Sequence, residues 1–266
     1  MLSILLVLVI SLAPFMWLVL STLKPAREMF TFPPTYLPHV FTLENYFNLL
    51  SKTDFPIWFK NSLIVSTATT VIAIAVCILG AYGASRFRFS GRNLFLFMLF
   101  LTQMFPGVLL VIPYIEIMRS FGLIDTLASL IITYCTFAIP LCSWILKGYF
   151  DSLPRDLEEA AMVDGCSKLG ALRRVVLPLS VPGVAATAIF IFIQSWGEAM
   201  FAILLTNTSS NYVLAIGIYT LSVSEFEWSW ANLLSSGVVT ALPLVFIFVF
   251  LQKYLVVGLT KGAIKG

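Results

Sequence analysis

Charge is scarce in this sequence, and so are the side chains that usually mark chemistry. Only 11% of the 266 residues are Asp, Glu, Lys or Arg, and there is one histidine. A soluble domain carries about 25% charged residues, and a mean hydropathy of +0.97 points instead to a bundle of membrane helices. The lone His39 lies outside every long apolar run, which excludes an intramembrane Ser/His pair and an HExxH zinc site. All the aspartates, Asp54, Asp125, Asp151, Asp156 and Asp164, also fall outside those runs, so no intramembrane aspartate dyad is available. No GxxxxGK[ST] phosphate loop occurs, and ATP hydrolysis by this chain is not expected. The four cysteines include no CxxC pair; Cys77, Cys135 and Cys142 lie in apolar runs and Cys166 in a polar stretch, and all read as reduced packing residues. The small net charge of +3 gives no reason to expect a nucleic-acid partner.

What the sequence does have is long apolar runs. A span needs about 20 apolar residues to cross about 30 Å of hydrocarbon, and six candidates meet that length, near 2–23, 62–84, 94–116, 126–146, 182–205 and 231–252. The expectation is an all-α polytopic membrane protein, a single transmembrane domain over 1–266 with six helices. Basic residues set its orientation. Arg86, Arg88, Arg92, Lys147, Arg155, Lys168, Arg173, Arg174, Lys253, Lys261 and Lys265 follow spans two, four and six, against Lys24, Arg27, Lys52, Lys60 and Arg119 on the other side. The even-numbered loops and both termini are therefore expected to be cytoplasmic. A cleaved signal peptide is the rival reading of 1–23, weakened by the missing basic n-region and by the length of the apolar stretch.

Between these runs the punctuation is specific. Pro33, Pro34 and Pro38 make the start of the first outer segment extended, and Thr42 can cap a short amphipathic helix through Leu50, an interfacial element. Span two carries Ser66, Thr67, Ala68, Thr69 and Thr70 and two glycines, small residues that allow close helix approach. Gln103, Pro106, Gly107 and Pro113 interrupt span three and Pro140 span four, where kinks free backbone groups. Glu116 and Arg119, at i and i+3, are expected to pair on one helix face. Span five holds Gln194, Ser195, Trp196 and Glu198. A carboxylate there costs about 2.5–3.5 kcal/mol at a helix centre, so Glu198 should face a cavity or bond a neighbouring helix. A tryptophan face with amide and carboxylate groups suits a sugar ring, which makes Gln194, Trp196 and Glu198 the candidate path lining. In the outer segment 206–230, Trp228 and Trp230 read as interfacial anchors.

The most polar stretch is 155–182, RDLEEAAMVDGCSKLGALRRVVLPLSVP, set between two apolar runs. Ser152 and Pro154 suit a helix start, Asp164 and Gly165 a stop with left-handed backbone, and Ser167 the cap of a second helix running toward Pro178. The local grammar is a helical hairpin lying outside the bilayer, a knob within the loop 147–181. Glu159-Ala160-Ala161, Gly165, Val175 and Leu177-Pro178 resemble the EAA loop of permease subunits of ATP-binding-cassette importers, with Val175 where isoleucine is usual. Leu146-Lys147-Gly148-Tyr149-Phe150, Leu153-Pro154 and Ser195-Trp196 are similar to the carbohydrate-importer branch, and the tail from Gly258 to Gly266 resembles the end of the smaller maltose-type subunit.

That resemblance implies a type I importer permease fold and a sugar-transport role in a prokaryotic cytoplasmic membrane. It implies that Glu159, Ala160, Ala161, Asp164, Gly165, Leu177 and Pro178 form the coupling surface for a separate ATPase dimer. The further partners it implies are a second permease subunit, an extracytoplasmic sugar-binding protein, for which the outer segments offer docking surface, and the sugar and lipid themselves. ATP and Mg would sit at the ATPase, with no cofactor on this chain, and the tail would insert between ATPase subunits. An ion-coupled secondary transporter is the competing class. It usually shows internal repeats and intramembrane ionisable groups, and here no repeat is evident and Glu198 stands alone.

Overall fold

Apolar runs placed in lipid have no water to bond their peptide groups, so helix is the conformation that satisfies them within one segment. The computed structural model describes residues 2–222 and 226–263, and among them every regular element is helical. In chain order these are α1 Leu2–Thr22, α2 Glu44–Lys52, α3 Phe55–Arg86, α4 Arg92–Thr102, α5 Val111–Ser120, α6 Leu127–Asp151, α7 Asp156–Val163 and α8 Lys168–Ala171. A π turn Leu172–Val176 leads into α9 Leu177–Leu179, α10 Val181–Gly197, α11 Met200–Leu205, α12 Leu214–Leu221 and α13 Phe226–Ala263.

Among the described residues four helices are long and apolar enough to cross a membrane: Ser3–Thr22, Phe55–Arg86, Leu127–Asp151 and Trp230–Phe250. Two further pairs reach that length only together, Arg92–Thr102 with Gly107–Ser120, bent by 97°, and Lys168–Leu179 with Val181–Gly197, bent by 79°. The run 94–116 is thus not the continuous kinked helix expected. Pro106 has no N–H and holds Phe105 away from helical backbone, so α4 stops at Thr102 and the chain turns before α5. The run 182–205 is divided too, since α10 ends at Gly197 and Glu198 is extended (φ −72°, ψ 123°) before α11.

The contacts divide the chain into two compact units. The first comprises Met1–Ser62 and Asn207–Val245. Here α1 leaves most of its apolar side chains exposed, and its C-terminal end is fastened by α2. Asn45 Nδ2 donates to the carbonyls of Thr22 (2.8 Å) and Lys24 (2.7 Å), groups that a helix end leaves without intrahelical partners. Lys24 is buried, bonds the Thr35 carbonyl through Nζ and lies 4.7 Å over the Trp17 ring. His39, its side chain 73% exposed, presents its backbone N–H (3.0 Å) and Nδ1 (2.9 Å) to Glu28, and the backbone N–H foremost holds the Glu28 carboxyl below the usual carboxylate range. At the other side of the unit, Asn61 Nδ2 donates to the carbonyls of Ser210 and Tyr212, both at 2.8 Å, and Ser62 Oγ accepts from Leu214 N–H, capping α12.

The second unit comprises Leu63–Thr206 and Phe246–Gly266. Small buried side chains on α3, Ala73, Cys77 and Ala81, let α6 approach through Cys135, Cys142, Leu146 and Phe150, and Ile191 of α10 closes the core. All four cysteines are free thiols. Gly183 places α10 so near α6 that an added Cβ would lie 2.6 Å from the Tyr149 ring. Glu116 and Arg119 are exposed on α5 and do not form one of the ion pairs of the described residues, because nothing packs the two flexible side chains together. The tail from Gly258 to Gly266 and the Trp228 side chain lie outside the described side chains, and Trp230 is exposed.

The same crowding test locates a tight contact in the first unit. A Cβ on Gly217 would stand 2.2 Å from the Trp58 ring. Gly217→Ala is expected to lower stability by about 1–3 kcal/mol through overpacking, read as a drop in the thermal unfolding midpoint in nanodiscs. An unchanged midpoint would mean that the Trp58 ring has room to shift.

Candidate functional site

The knob is built from local rules that can be followed residue by residue. Helix α7 opens with Asp156, Glu158 and Glu159 in its first turn, where negative charge suits the positive end of the helix dipole. It closes in a Schellman motif: Cys166 N–H bonds the Ala161 carbonyl (2.9 Å) and Gly165 N–H the Met162 carbonyl (3.1 Å), with Gly165 at φ +87°. Ser167 then caps α8, its Oγ accepting from Gly170 N–H at 3.1 Å. The start differs from expectation, because Ser152 closes α6 rather than opening α7 and bonds back to the Tyr149 carbonyl. Pro178 cannot donate to a carbonyl four residues back, and the helix ahead of it widens to the π turn, with Leu177 N–H bonded to the Leu172 carbonyl.

Of the expected coupling residues, Glu159, Ala160, Asp164 and Gly165 are exposed, Ala161 and Leu177 are half-buried, and Pro178 is exposed. Beside them lie apolar side chains equally open, Leu157, Val163 and Leu169, with Val163 87% exposed. A polar knob that displays aliphatic side chains is shaped to meet a partner. Glu158 behaves differently from its neighbour. Its side chain is buried and both oxygens are engaged, Oε1 by Arg86 Nε and Oε2 by Tyr82 OH at 3.0 Å. Sequence reasoning missed this set, since Tyr82 and Arg86 are more than 70 residues away from Glu158. The doubled Glu158-Glu159 was the available signal, because consecutive helical residues point about 100° apart and cannot both face one partner.

A cavity of about 310 Å³ lies among α6, α10, α11 and the break between α4 and α5. Gln103, Gln194, Ser195, Glu198 and Tyr134 supply its polar lining, and beside Phe190 the rings of Phe137 and Phe201 its aromatic lining. Those two rings stand 5.0 Å apart, and Tyr114 packs on both with centroids at 5.4 Å. The Glu198 carboxylate caps α11, accepting Phe201 N–H at 3.1 Å and Ala202 N–H at 3.4 Å. Gln194 and Glu198 therefore come together as expected. Trp196 does not join them: it is buried, its ring stacks on Phe192 at 5.5 Å, and it is absent from the lining. Phe137 and Phe201 offer the aromatic faces instead. A larger hollow of about 610 Å³ beside Trp144 is apolar apart from Asn93 and Gln103 and offers few groups for hydroxyls. No group of three or more His, Cys, Asp or Glu side chains that could hold a metal ion occurs among the described residues.

Helices apolar enough to cross a membrane, a cavity with polar groups in its wall and an exposed knob fit a multi-pass transport subunit. Residues 76–261 match the family described as the binding-protein-dependent transport system inner membrane component, and the chain belongs to that family. It is 36% identical to the inner membrane ABC transporter permease protein YcjP of Escherichia coli (strain K12), over 97% of this chain and 93% of that protein. It is likewise 36% identical to the trehalose/maltose transport system permease protein MalG of Thermococcus litoralis, with 97% and 93% covered. In fold it matches a chain of a bacterial ABC transporter involved in import of the acidic polysaccharide alginate, with a TM-score of 0.83, 22% identity and 95% and 94% of the two chains covered. The chain is a multi-pass permease subunit of the inner membrane with the type I importer fold.

Three substitutions probe these pieces. Gly165→Val forces a β-branched residue into left-handed backbone, at a cost of about 1–2 kcal/mol, and should speed hydrogen exchange of the Gly165 and Cys166 amides; unaltered exchange would show that the turn tolerates a Cβ. Glu198→Ala removes the α11 cap and should cost about 0.5–2 kcal/mol, whereas Glu198→Gln keeps an acceptor and loses less. Equal unfolding midpoints for the two variants would place the role of Glu198 elsewhere than in the cap.

Proposed function

We propose that this chain is one of two membrane-spanning subunits of an ATP-driven importer for uncharged mono- or oligosaccharides. The observation that carries this reading is the knob, an exposed surface of Glu159, Ala160, Leu157 and Val163 held by the Schellman turn at Gly165, in a chain of the binding-protein-dependent family. Its partners are a second permease subunit, a dimer of ATPase subunits that binds ATP and Mg, and an external binding protein that delivers the sugar. The knob and both chain termini lie on the cytoplasmic side. Ala160 and Ala161 allow the ATPase close approach, Glu159 offers it a charged contact, and Leu177-Pro178 return the chain to the membrane. Closure of the ATPase dimer moves the knobs together and turns the membrane helices as rigid bodies, giving alternating access.

The cavity supports a sugar as cargo. Aromatic faces at Phe137 and Phe201 suit the C–H surface of a pyranose, while Gln103, Gln194 and Ser195 can exchange hydrogen bonds with hydroxyls. Glu198 is the only charged side chain among its lining residues. A carboxylate in a low-dielectric wall repels a uronate or a sulfonated sugar, which favours uncharged saccharides. A relative named for trehalose and maltose fits that choice, while one named for sulfoquinovosyl glycerol, at the same 36% identity, does not.

The test is reconstitution of this chain with its partner permease and ATPase in proteoliposomes, with and without sugar-loaded binding protein. Stimulated ATP hydrolysis and uptake of a neutral disaccharide, both lost on Gly165→Val, are the expected results. Uptake by this chain alone on an ion gradient, without ATP, would overturn the reading in favour of a secondary transporter, and faster uptake of uronates than of neutral sugars would overturn the assignment of cargo.

A further inference from the structure

The C-terminal end of α3 is tied to the knob through the Tyr82 and Arg86 side chains and the Ser85 carbonyl, and to the end of α6 through the Ser85 hydroxyl. Arg86 Nε pairs with Glu158 Oε1, and its Nη2 donates to the Leu153 carbonyl at 3.2 Å. Tyr82, one turn earlier, donates from its hydroxyl to Glu158 Oε2 at 3.0 Å and lies 3.3 Å from the Lys168 carbonyl of α8. Ser85 Oγ donates to Asp151 Oδ1 at 2.5 Å, while the Ser85 carbonyl accepts from Arg155 Nη2 at 3.0 Å. The ion-paired side chains are largely buried, Arg86 7% exposed and Glu158 8%, and they form part of the wall of a small open cavity of about 130 Å³ that Arg155 and Lys168 also line. The Tyr82 ring packs edge-on against Phe150 and Phe87.

A buried ion pair is an inefficient way to hold two elements together, because desolvating both charges offsets most of their attraction and an apolar pair of similar volume is often as stable. What the pair supplies is direction. Both Glu158 oxygens and all three guanidinium nitrogens are engaged at fixed angles, so α7 cannot slide or turn on α3 without leaving a largely buried charge unpaired. An apolar contact resists separation but tolerates sliding. The adjacent Glu159 is exposed and free to meet a partner.

We propose that Arg86, Glu158 and Tyr82 are positioning residues that form a rigid joint, making the knob and α3 move as one body, so that force received by the exposed face of α7 is passed to that helix. The assignment rests on the coupling role proposed for the knob. It divides labour between neighbours, Glu159 facing the ATPase and Glu158 facing the membrane helix.

The test uses the assembled transporter carrying Arg86→Met with Glu158→Leu, a pair that keeps volume and removes both charges. The expected result is an assembled complex that still hydrolyses ATP but imports about fivefold less sugar per ATP, a coupling loss of the size seen for residues between sites. A readout independent of transport comes from spin labels at Asp156→Cys on α7 and Leu79→Cys on α3, both exposed positions, in a Cys166→Ser background since the other three cysteines are buried. The distance distribution should be narrow with the native pair and broad in the double variant. A narrow distribution in the variant, or an unchanged ratio of sugar to ATP, overturns the joint. Should the double variant fail to assemble, Tyr82→Phe and Arg86→Lys keep ring and charge while removing single bonds, and a wild-type ratio with narrow distances in both overturns it equally. A native complex showing neither uptake nor stimulated ATP hydrolysis would instead count against the importer reading, while the spin-label distances still decide the joint.

Discussion

The membrane-spanning helices, on which the rest of the structure is mounted, depend on the rule that a peptide group in hydrocarbon must find its partner inside the protein. Where the sequence runs apolar without proline, the helix obeys the rule unaided. Where the helix breaks, something else must take the freed groups. At Glu198 the carboxylate does so by accepting the N–H groups of Phe201 and Ala202, and the same residue lines the cavity. At Ser180 the N–H reaches both the Val176 and Leu177 carbonyls, and Val181 begins a helix at a new angle. A break thus costs side-chain chemistry, and that chemistry is then available to a solute.

The knob follows the opposite rule. Outside the membrane water can serve the backbone, yet nearly every turn of the 155–180 stretch is closed by a named bond, from the Schellman pair at Gly165 to the Ser167 cap. A segment this short would fray if left to propensity. Its order comes from caps at its ends and from Leu172 and Val176, which anchor it in the core of the second unit. A surface meant to bear load has to be stiff before it can transmit anything, and these contacts supply the stiffness.

How much of this was legible in the sequence depended on the range of the interaction. The stop at Gly165 and the cap at Ser167 rest on neighbours three to five residues apart, so residue type and spacing sufficed. The break near Pro106 was visible as a proline within an apolar run, but its 97° bend was not, because the angle is set by what packs against the two pieces. The pairing of Glu116 with Arg119 failed for the converse reason: spacing permits a pair, and exposure leaves it no net advantage. Trp196 was read as lining because tryptophan suits sugars, yet one residue of rotation along a helix turns a side chain by about 100°, and it stacks on Phe192 instead. The phenylalanines that do line the cavity, Phe137, Phe190 and Phe201, are indistinguishable in sequence from the many others of the spans.

The two consecutive glutamates at 158 and 159 bring these strands together. Both stand in the first turn of α7, and the helix dipole favours both alike. Tertiary placement separates them: Arg86 and Tyr82 meet one, and nothing in the second unit covers the other. A knob anchored only through apolar contacts would leave both carboxylates in water, with no preferred direction along the α3 axis. By burying one charge against a cation at the end of a 32-residue helix, the chain fixes α7 to an element about 48 Å long, long enough to carry a displacement at one membrane face through the full thickness of the bilayer.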